Sequence, residues 1–288
     1  MDLTWGIDVS KWQETIDWLA VERSGRAAFA AVRVAVGLRP DERWQANLAG
    51  AADHCPLPMA YAVVGTRANQ AEAADVFCNL VARVAPLDRV GLVVDAENFG
   101  DGSHPTQAQV HAFRDELRRL TGRWPFAYEP DWWLAGHGYR TDGASWPWWP
   151  SKYVKPPWTS ARLAALRPGL EHGFAVQGPW QFTSSGSVAG VVGNVDRNVY
   201  FGTLAQLRAL ALGPAAAEEE EPDVLTDQQA ATLGEIATGV GQLHTDMTTL
   251  LRGEAHASME KMLAKLGSID DRLGQLVAAL TAGTGGQP

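Results

Sequence analysis

Over its first two hundred or so residues the chain alternates short apolar, β-rich runs with amphipathic helical stretches. No other feature constrains the fold as strongly. The β-type runs are Thr4–Val9, Phe29–Val36, Met59–Val64, Val90–Asp95, Pro125–Tyr128, Trp146–Tyr153, Phe174–Thr183 and Val195–Phe201. Helical patterns separate the early ones, at Trp44–Asp53, Asn69–Val84 and Thr106–Leu120. Beyond Trp132 the density of Trp, Gly and Pro hides any period. Strands alternating with helices predict parallel βαβ units. Eight such strands in about 210 residues predict an α/β fold, a closed (β/α) barrel of TIM-like type with reduced helices. A doubly wound open sheet is the rival, but no G-x-G-x-x-G follows the first strand, which weakens its nucleotide-binding version.

The alternation stops where the composition breaks. All twelve tryptophans lie between Trp5 and Trp180, and no Phe, Tyr or Trp follows Phe201. From Pro214 onward there are twelve Asp and Glu against four Lys and Arg, so nearly all of the net charge of −9 sits in the last quarter. Gly213-Pro214, an Ala triplet, Glu218 to Glu221 and Pro222 read as a linker. The sequence therefore divides into a barrel at 1–212, an acidic linker at 213–224, a helical module at 225–281 and a flexible tail at 282–288. In the module, Leu233, Ile236, Val240, Leu243, Met247 and Leu250 step at heptad spacing, as do Met262, Leu266, Ile269, Leu273, Leu276 and Leu280. The two runs are out of phase near Gly253. A coiled coil or helical hairpin is expected, and a stripe this narrow fits homo-oligomerisation through 225–281 better than wall binding.

Several classes drop out on composition. No apolar run reaches the ~18 residues of a membrane span. An acidic chain lacks the cationic footprint that nucleic acid demands. Cys55 and Cys78 form neither a disulfide framework nor a metal-spacing motif. No metal and no cofactor is expected.

The chemistry is carried by carboxylates at strand ends. Val93-Val94 runs into Asp95 and Glu97, which at i and i+2 share a face of a strand, roughly 6.5–7 Å apart along the backbone. Two like charges in a partly desolvated site raise one pKa, and the acid then held protonated near neutral pH can protonate a leaving oxygen. Paired carboxylates of this kind cleave glycosidic bonds. Asp8 ends the first strand and Asp196 opens the last, which barrel closure brings together. Tyr61, Tyr128, Trp180 and the other tryptophans supply flat faces with polar edges that suit sugar rings, although Trp18, Trp124 and Trp158 and at least half of the rest are expected in the core.

These motifs, in this order, resemble glycoside hydrolase family 25, the Chalaropsis-type muramidases. Gly6-Ile7-Asp8-Val9-Ser10-Lys11-Trp12-Gln13 is similar to the opening motif, Met59-Ala60-Tyr61 to the aromatic strand end, and Asp95-Ala96-Glu97 to the D-x-E motif. Trp180-Gln181-Phe182-Thr183-Ser184 with Val195-Asp196-Arg197-Asn198 is similar to the closing signature. The resemblance spans residues 4–212. It implies hydrolysis of the β-1,4 bond from N-acetylmuramic acid to N-acetylglucosamine in bacterial peptidoglycan. It makes Glu97 the general acid and Asp95 its partner carboxylate, which assists the substrate N-acetyl group or stabilises charge at the anomeric carbon. Asp8 and Asp196 hold the charge network, and Tyr61, Tyr128, Arg33, Gln181 and Trp180 bind the glycan. Ala62 stands where the family usually has His, and Glu129-Pro130 follows Tyr128 in place of a small hydroxyl residue.

Met1 to Trp5 shows no secretory segment. With the muramidase resemblance, that points to a phage endolysin held in the host cytoplasm until holin-dependent release to the wall, or to a virion-associated lysin. The alternatives are a catalytically weak or inactive wall-glycan-binding module of a virion, oligomerised by its helical tail, and, less well supported, a chitinase.

Overall fold

The computed structural model describes residues 2–140 and 146–214, together with Gly267. The chain groups into two units, Met1–Glu219 and Glu220–Pro288. The helical module and oligomerisation surface expected at 225–281, and the tail beyond it, lie outside the described residues.

The elements of the first unit are β1 (Thr4–Val9), α1 (Trp18–Arg23), β2 (Phe29–Val36), β3 (Arg39–Pro40), α2 (Trp44–His54), β4 (Leu57–Val63), α3 (Gln70–Ala82), β5 (Gly91–Asp95), α4 (Gln107–Thr121), β6 (Phe126–Tyr128), α5 (Asp131–His137), β7 (Pro147–Trp149), α6 (Ser160–Leu166), β8 (Val176–Gln177), β9 (Trp180–Gly186), β10 (Val195–Tyr200) and α7 (Leu204–Leu212). The helices begin where the sequence supplies caps. Asn69 accepts from the amides of Ala71 and Glu72, and Thr106 with Gln109 and Thr203 with Gln206 form reciprocal capping boxes. Gly122, at φ 72°, ends α4 in the left-handed region.

One sheet runs in the order β8-β7-β6-β5-β4-β2-β1-β10-β9, with β3 attached to β2. From β8 to β1 every neighbouring pair is parallel. β5 is buried throughout and β2 nearly so, as parallel strands covered on both faces must be. The expected all-parallel TIM-like closure is not what is found. β10 pairs antiparallel with both β1 and β9, giving a mixed, curled sheet. The outer edge of β9 meets the segment just past β7: Gln181 N–H donates to Pro150 O at 2.9 Å and Lys152 N–H to Gln181 O at 3.1 Å.

Prolines explain two differences from the sequence expectation. The run Phe174–Thr183 splits into β8 and β9 at Gly178-Pro179, and the run from Trp146 keeps its pairing with β6 and β8 only to Trp149, Pro150 having no N–H to donate.

The core forms on both faces of the sheet. Ile7, Ala30, Val32, Val34, Ala60, Leu92 and Val94 face outward under the helices. Phe29, Ala31, Leu57, Met59, Val93, Phe126 and Trp149 face inward, and Leu207 and Ala211 of α7 plug one end of that interior. Gly6 lies in this interior because a Cβ there would sit 2.4 Å from the Phe29 ring.

Candidate active site

The inward columns of the sheet build the site by period two. On β2 the column reads Phe29, Ala31, Arg33; on β4 Leu57, Met59, Tyr61; on β5 Gly91, Val93, Asp95; on β6 Phe126, Tyr128. Each is apolar below and polar at the C-terminal end of its strand. Register sets those ends on two adjacent levels: Arg33 is opposite Tyr61, and Asp95, one inward position further along, is opposite Tyr128. The pairing of β5 with β6 runs one residue further, Ala96 N–H donating to Tyr128 O at 3.0 Å, and this carries Glu97 to the rim.

The antiparallel β10 completes the set. Its beginning lies beside the C-terminal end of β1, so Asp196 is the direct partner of Asp8. The result is a cleft of about 270 Å³ whose lining includes Asp8, Asp95, Glu97, Asp196, Arg33, Tyr61, Tyr128 and Gln181. The four acids expected from the sequence and four of the five expected binding residues therefore converge. Trp180 does not. It is fully buried among Phe182, Phe201 and Leu163, with its indole N–H donated to Lys152 O at 2.9 Å.

A hydrogen-bonded scaffold fixes the acids. Gln181 Nε2 and Asn198 Nδ2 donate to Asp8 Oδ2 at 2.9 and 2.8 Å. Tyr128 and Tyr153 hydroxyls both donate to Gln181 Oε1 at 2.9 Å, and the Trp149 indole N–H donates to Asn198 Oδ1 at 2.9 Å. These bonds set the orientation of both amides. Arg33, the cation in the lining, is held by Asp41 at 2.8 Å. Asp41 in turn accepts from the amides of Lys11 and Arg43.

Electrostatics follow from crowding. Burial pushes all four carboxyls above their ordinary range. Asp95 is raised by burial first and then by the charges of Glu97 and Asp8, and its Oδ1 has no hydrogen-bond partner among the described residues. Glu97 is raised by burial and then by Asp8, with Arg33 pulling it back. Asp196 is pushed up to about 9 by burial, the Asp8 charge and the hydrogen bond that Asp8 accepts. Near neutral pH the hydrogen-bonded Asp8–Asp196 pair therefore holds one proton between its two carboxyls.

Sequence reasoning gave no role at the site to Tyr153, Asn198 or Trp12, all of which touch the cleft or its scaffold. Asn198 had a signal: it is two residues from Asp196 on one strand and so shares its face. Elsewhere, Asp131, Glu171 and His172 bring ligand-type atoms within 4.8 Å of one another, but His172 Nε2 is already bonded to Asp131 Oδ1 at 2.8 Å, and none of the three lines the cleft. Glu129 is buried and raised to about 8 by desolvation, outside the lining. Cys55 and Cys78 are free and buried. No helix among the described residues is long and apolar enough to cross a membrane.

Comparison with known proteins agrees with this geometry. Residues 7–191 match the family described as glycosyl hydrolases family 25. Lysozyme M1 of Streptomyces globisporus is 29% identical over 217 residues, covering 72% of this chain and 70% of that protein. The bacterial lysozyme structure from Streptomyces coelicolor aligns with a TM-score of 0.61 at 27% identity, over 73% of this chain and 98% of that one. A family 25 lysozyme from Aspergillus fumigatus shares the fold, with a TM-score of 0.59 at 20% identity over 73% and 99%. An acid-lined cleft at the strand ends and a family match across most of the first unit lead to one conclusion: this chain belongs to family 25 of the glycosyl hydrolases and is a glycoside hydrolase of the muramidase type.

Proposed function

We propose that the protein cleaves the β-1,4 bond between N-acetylmuramic acid and N-acetylglucosamine in bacterial peptidoglycan, with Glu97 as the general acid. The observation that carries this is the convergence of four carboxyls with raised pKa values on one cleft. Glu97 is half-buried at the rim, where a glycosidic oxygen can reach it. Held protonated, it donates its proton to the departing oxygen as the bond to the anomeric carbon lengthens. Asp95, deep in the cleft, faces the positive charge that develops there. Its unpartnered Oδ1 is placed to accept from the N–H of a substrate acetamido group, whose carbonyl oxygen then closes on the anomeric carbon. Asp8, fixed by three donors, supplies negative potential to the same centre, and Asp196 keeps the pair to a single charge.

The biological setting consistent with this chemistry is phage-mediated lysis of a host wall. The composition, rich in Ala, Gly and Arg and poor in Lys and Ile, bears on the host and not on the lysis role: it is that of a GC-rich genome. Lysis on co-expression with a holin tests that setting separately.

The activity is tested by digesting purified peptidoglycan, reducing the products with borohydride and identifying the new ends by mass spectrometry. Reduced N-acetylmuramic acid ends are expected from the wild type. Glu97→Gln should lower their rate of appearance by at least about 10²-fold without altering the thermal melt. Glu97→Gln activity near wild type would sink the general-acid assignment. Intact glycan binding with no new ends from any wall would favour the binding-module alternative.

A further inference from the structure

Trp12 is 74% exposed, although it is one of the largest apolar side chains in the protein. Most of the other tryptophans are buried or half-buried, and Trp12 differs from the exposed Trp132 in lining the catalytic cleft. An indole left in water forgoes the gain of burying its large apolar surface, so its display beside the cleft needs a reason.

The turn that carries it is held at several points. Ser10 and Gln13 close a capping box around Lys11–Gln13, the Ser10 side chain accepting from Trp12 N–H and Gln13 Oε1 accepting from Ser10 N–H at 2.9 Å. Gln13 Nε2 also donates to Asn194 O at 3.3 Å, tying the turn to the approach of β10. Lys11 N–H donates to Asp41, the same carboxylate that fixes Arg33. The Lys11 ammonium, tethered to Glu42 at 2.6 Å, lies over the Trp12 ring at 5.3 Å from its centroid. One ring face is thus covered and the rest is left to solvent. Tyr153 is exposed to 56% and also lines the cleft, from the segment past β7.

A rigidly held, open aromatic face at the mouth of a polysaccharide cleft is what the C–H face of a pyranose stacks on. We infer that Trp12 is a sugar-stacking platform, an outer subsite that takes an N-acetylhexosamine ring beyond the two flanking the cleaved bond. This rests on the muramidase reading for the identity of the glycan, but the platform is a statement about binding and does not require turnover. Its consequence is a preference for long strands over short ones, because only a strand that reaches past the cleaved bond gains the stacking contact, and the pre-ordered turn leaves less entropy to lose when the sugar docks.

The test is calorimetric titration of the full chain carrying Glu97→Gln, which prevents turnover, with N-acetylglucosamine oligomers from dimer to hexamer. Adding Trp12→Ala should weaken hexamer binding about tenfold, equivalent to 1.4 kcal/mol, and leave dimer binding unchanged. Trp12→Phe should restore most of the hexamer affinity. A merely structural role would instead lower affinity for every length, together with the melting temperature. Equal hexamer affinity with and without Trp12, equal loss at all lengths, or no oligomer binding at all would each overturn the platform. A wild type that binds in a Trp12-dependent way but cleaves nothing would overturn the muramidase reading and leave the platform standing.

Discussion

Replacing Asp196 with Asn should make the protein more stable at alkaline pH while impairing cleavage. Asp196 is lifted to about 9, whereas in the unfolded chain it titrates near 4. Between those values the unfolded chain has released the proton and the native state still holds it. The unfolded state then binds fewer protons, so stability falls as pH rises through the interval. Each pH unit costs at most about 1.4 kcal/mol, which sets a ceiling of about 5 kcal/mol by pH 8. Asp196 is half-buried and shares its proton with Asp8, so screening and coupling reduce the effect to about 1–3 kcal/mol. Asn keeps a donor toward Asp8 where the protonated acid had one, and it carries no charge at any pH. Thermal melts from pH 5 to 9 provide the assay. The two proteins should nearly coincide at pH 5 and diverge upward, with the variant ahead by about 3–8 °C at pH 8 for a domain of this size. A variant less stable at pH 8, or a gap that does not change with pH, would refute the shared-proton account. The stabilisation would show that the cleft holds its acids at a cost to the fold.

Asn198 is fully buried between Asp8 and the Trp149 indole; Asn198→Ala should cost about 2–4 kcal/mol in chemical denaturation, because a buried indole N–H and a carboxylate both lose a partner. Gly178→Ala would place a Cβ 2.7 Å from Trp148 O, a backbone atom that cannot swing aside; a loss of about 1–3 kcal/mol is expected, and a neutral result would mean that β7 and β8 can separate freely. The activity of the wild type should decline on the alkaline side at a pH above the ordinary glutamate range, since Glu97 must stay protonated to act as an acid and its pKa is raised; a profile already falling at pH 4–5 would contradict that role. A chain ending at Gly213 should fold cooperatively by itself and be monomeric in sedimentation, and insolubility of that truncation beside a well-behaved full chain would move the domain boundary.

Much of the chemistry was legible in the sequence because it obeys local rules. The apolar columns that end in Arg33, Tyr61, Asp95 and Tyr128 follow from strand alternation alone, and the helix starts follow from their caps. The same rule shows why Trp180 and Gln181 could not both face the glycan. As neighbours on β9 they point to opposite sides, and closure turned Gln181 inward and Trp180 into the core.

What local pattern could not supply was direction and pairing. Asp196 stands at the beginning of its strand, yet it joins residues at the ends of theirs, because β10 runs antiparallel to β1. A strand's own residues do not specify its orientation; that depends on which connection packs without exposing unpaired backbone. The chain of bonds from Tyr128 and Tyr153 through Gln181 to Asp8, and from Trp149 through Asn198 to the same oxygen, likewise joins residues up to 190 positions apart. The sequence by itself determined which side chains each strand presents to the interior. Only the tertiary structure decided that four carboxyls would meet in one desolvated cleft, and their raised pKa values come first from that burial and then from one another's charge.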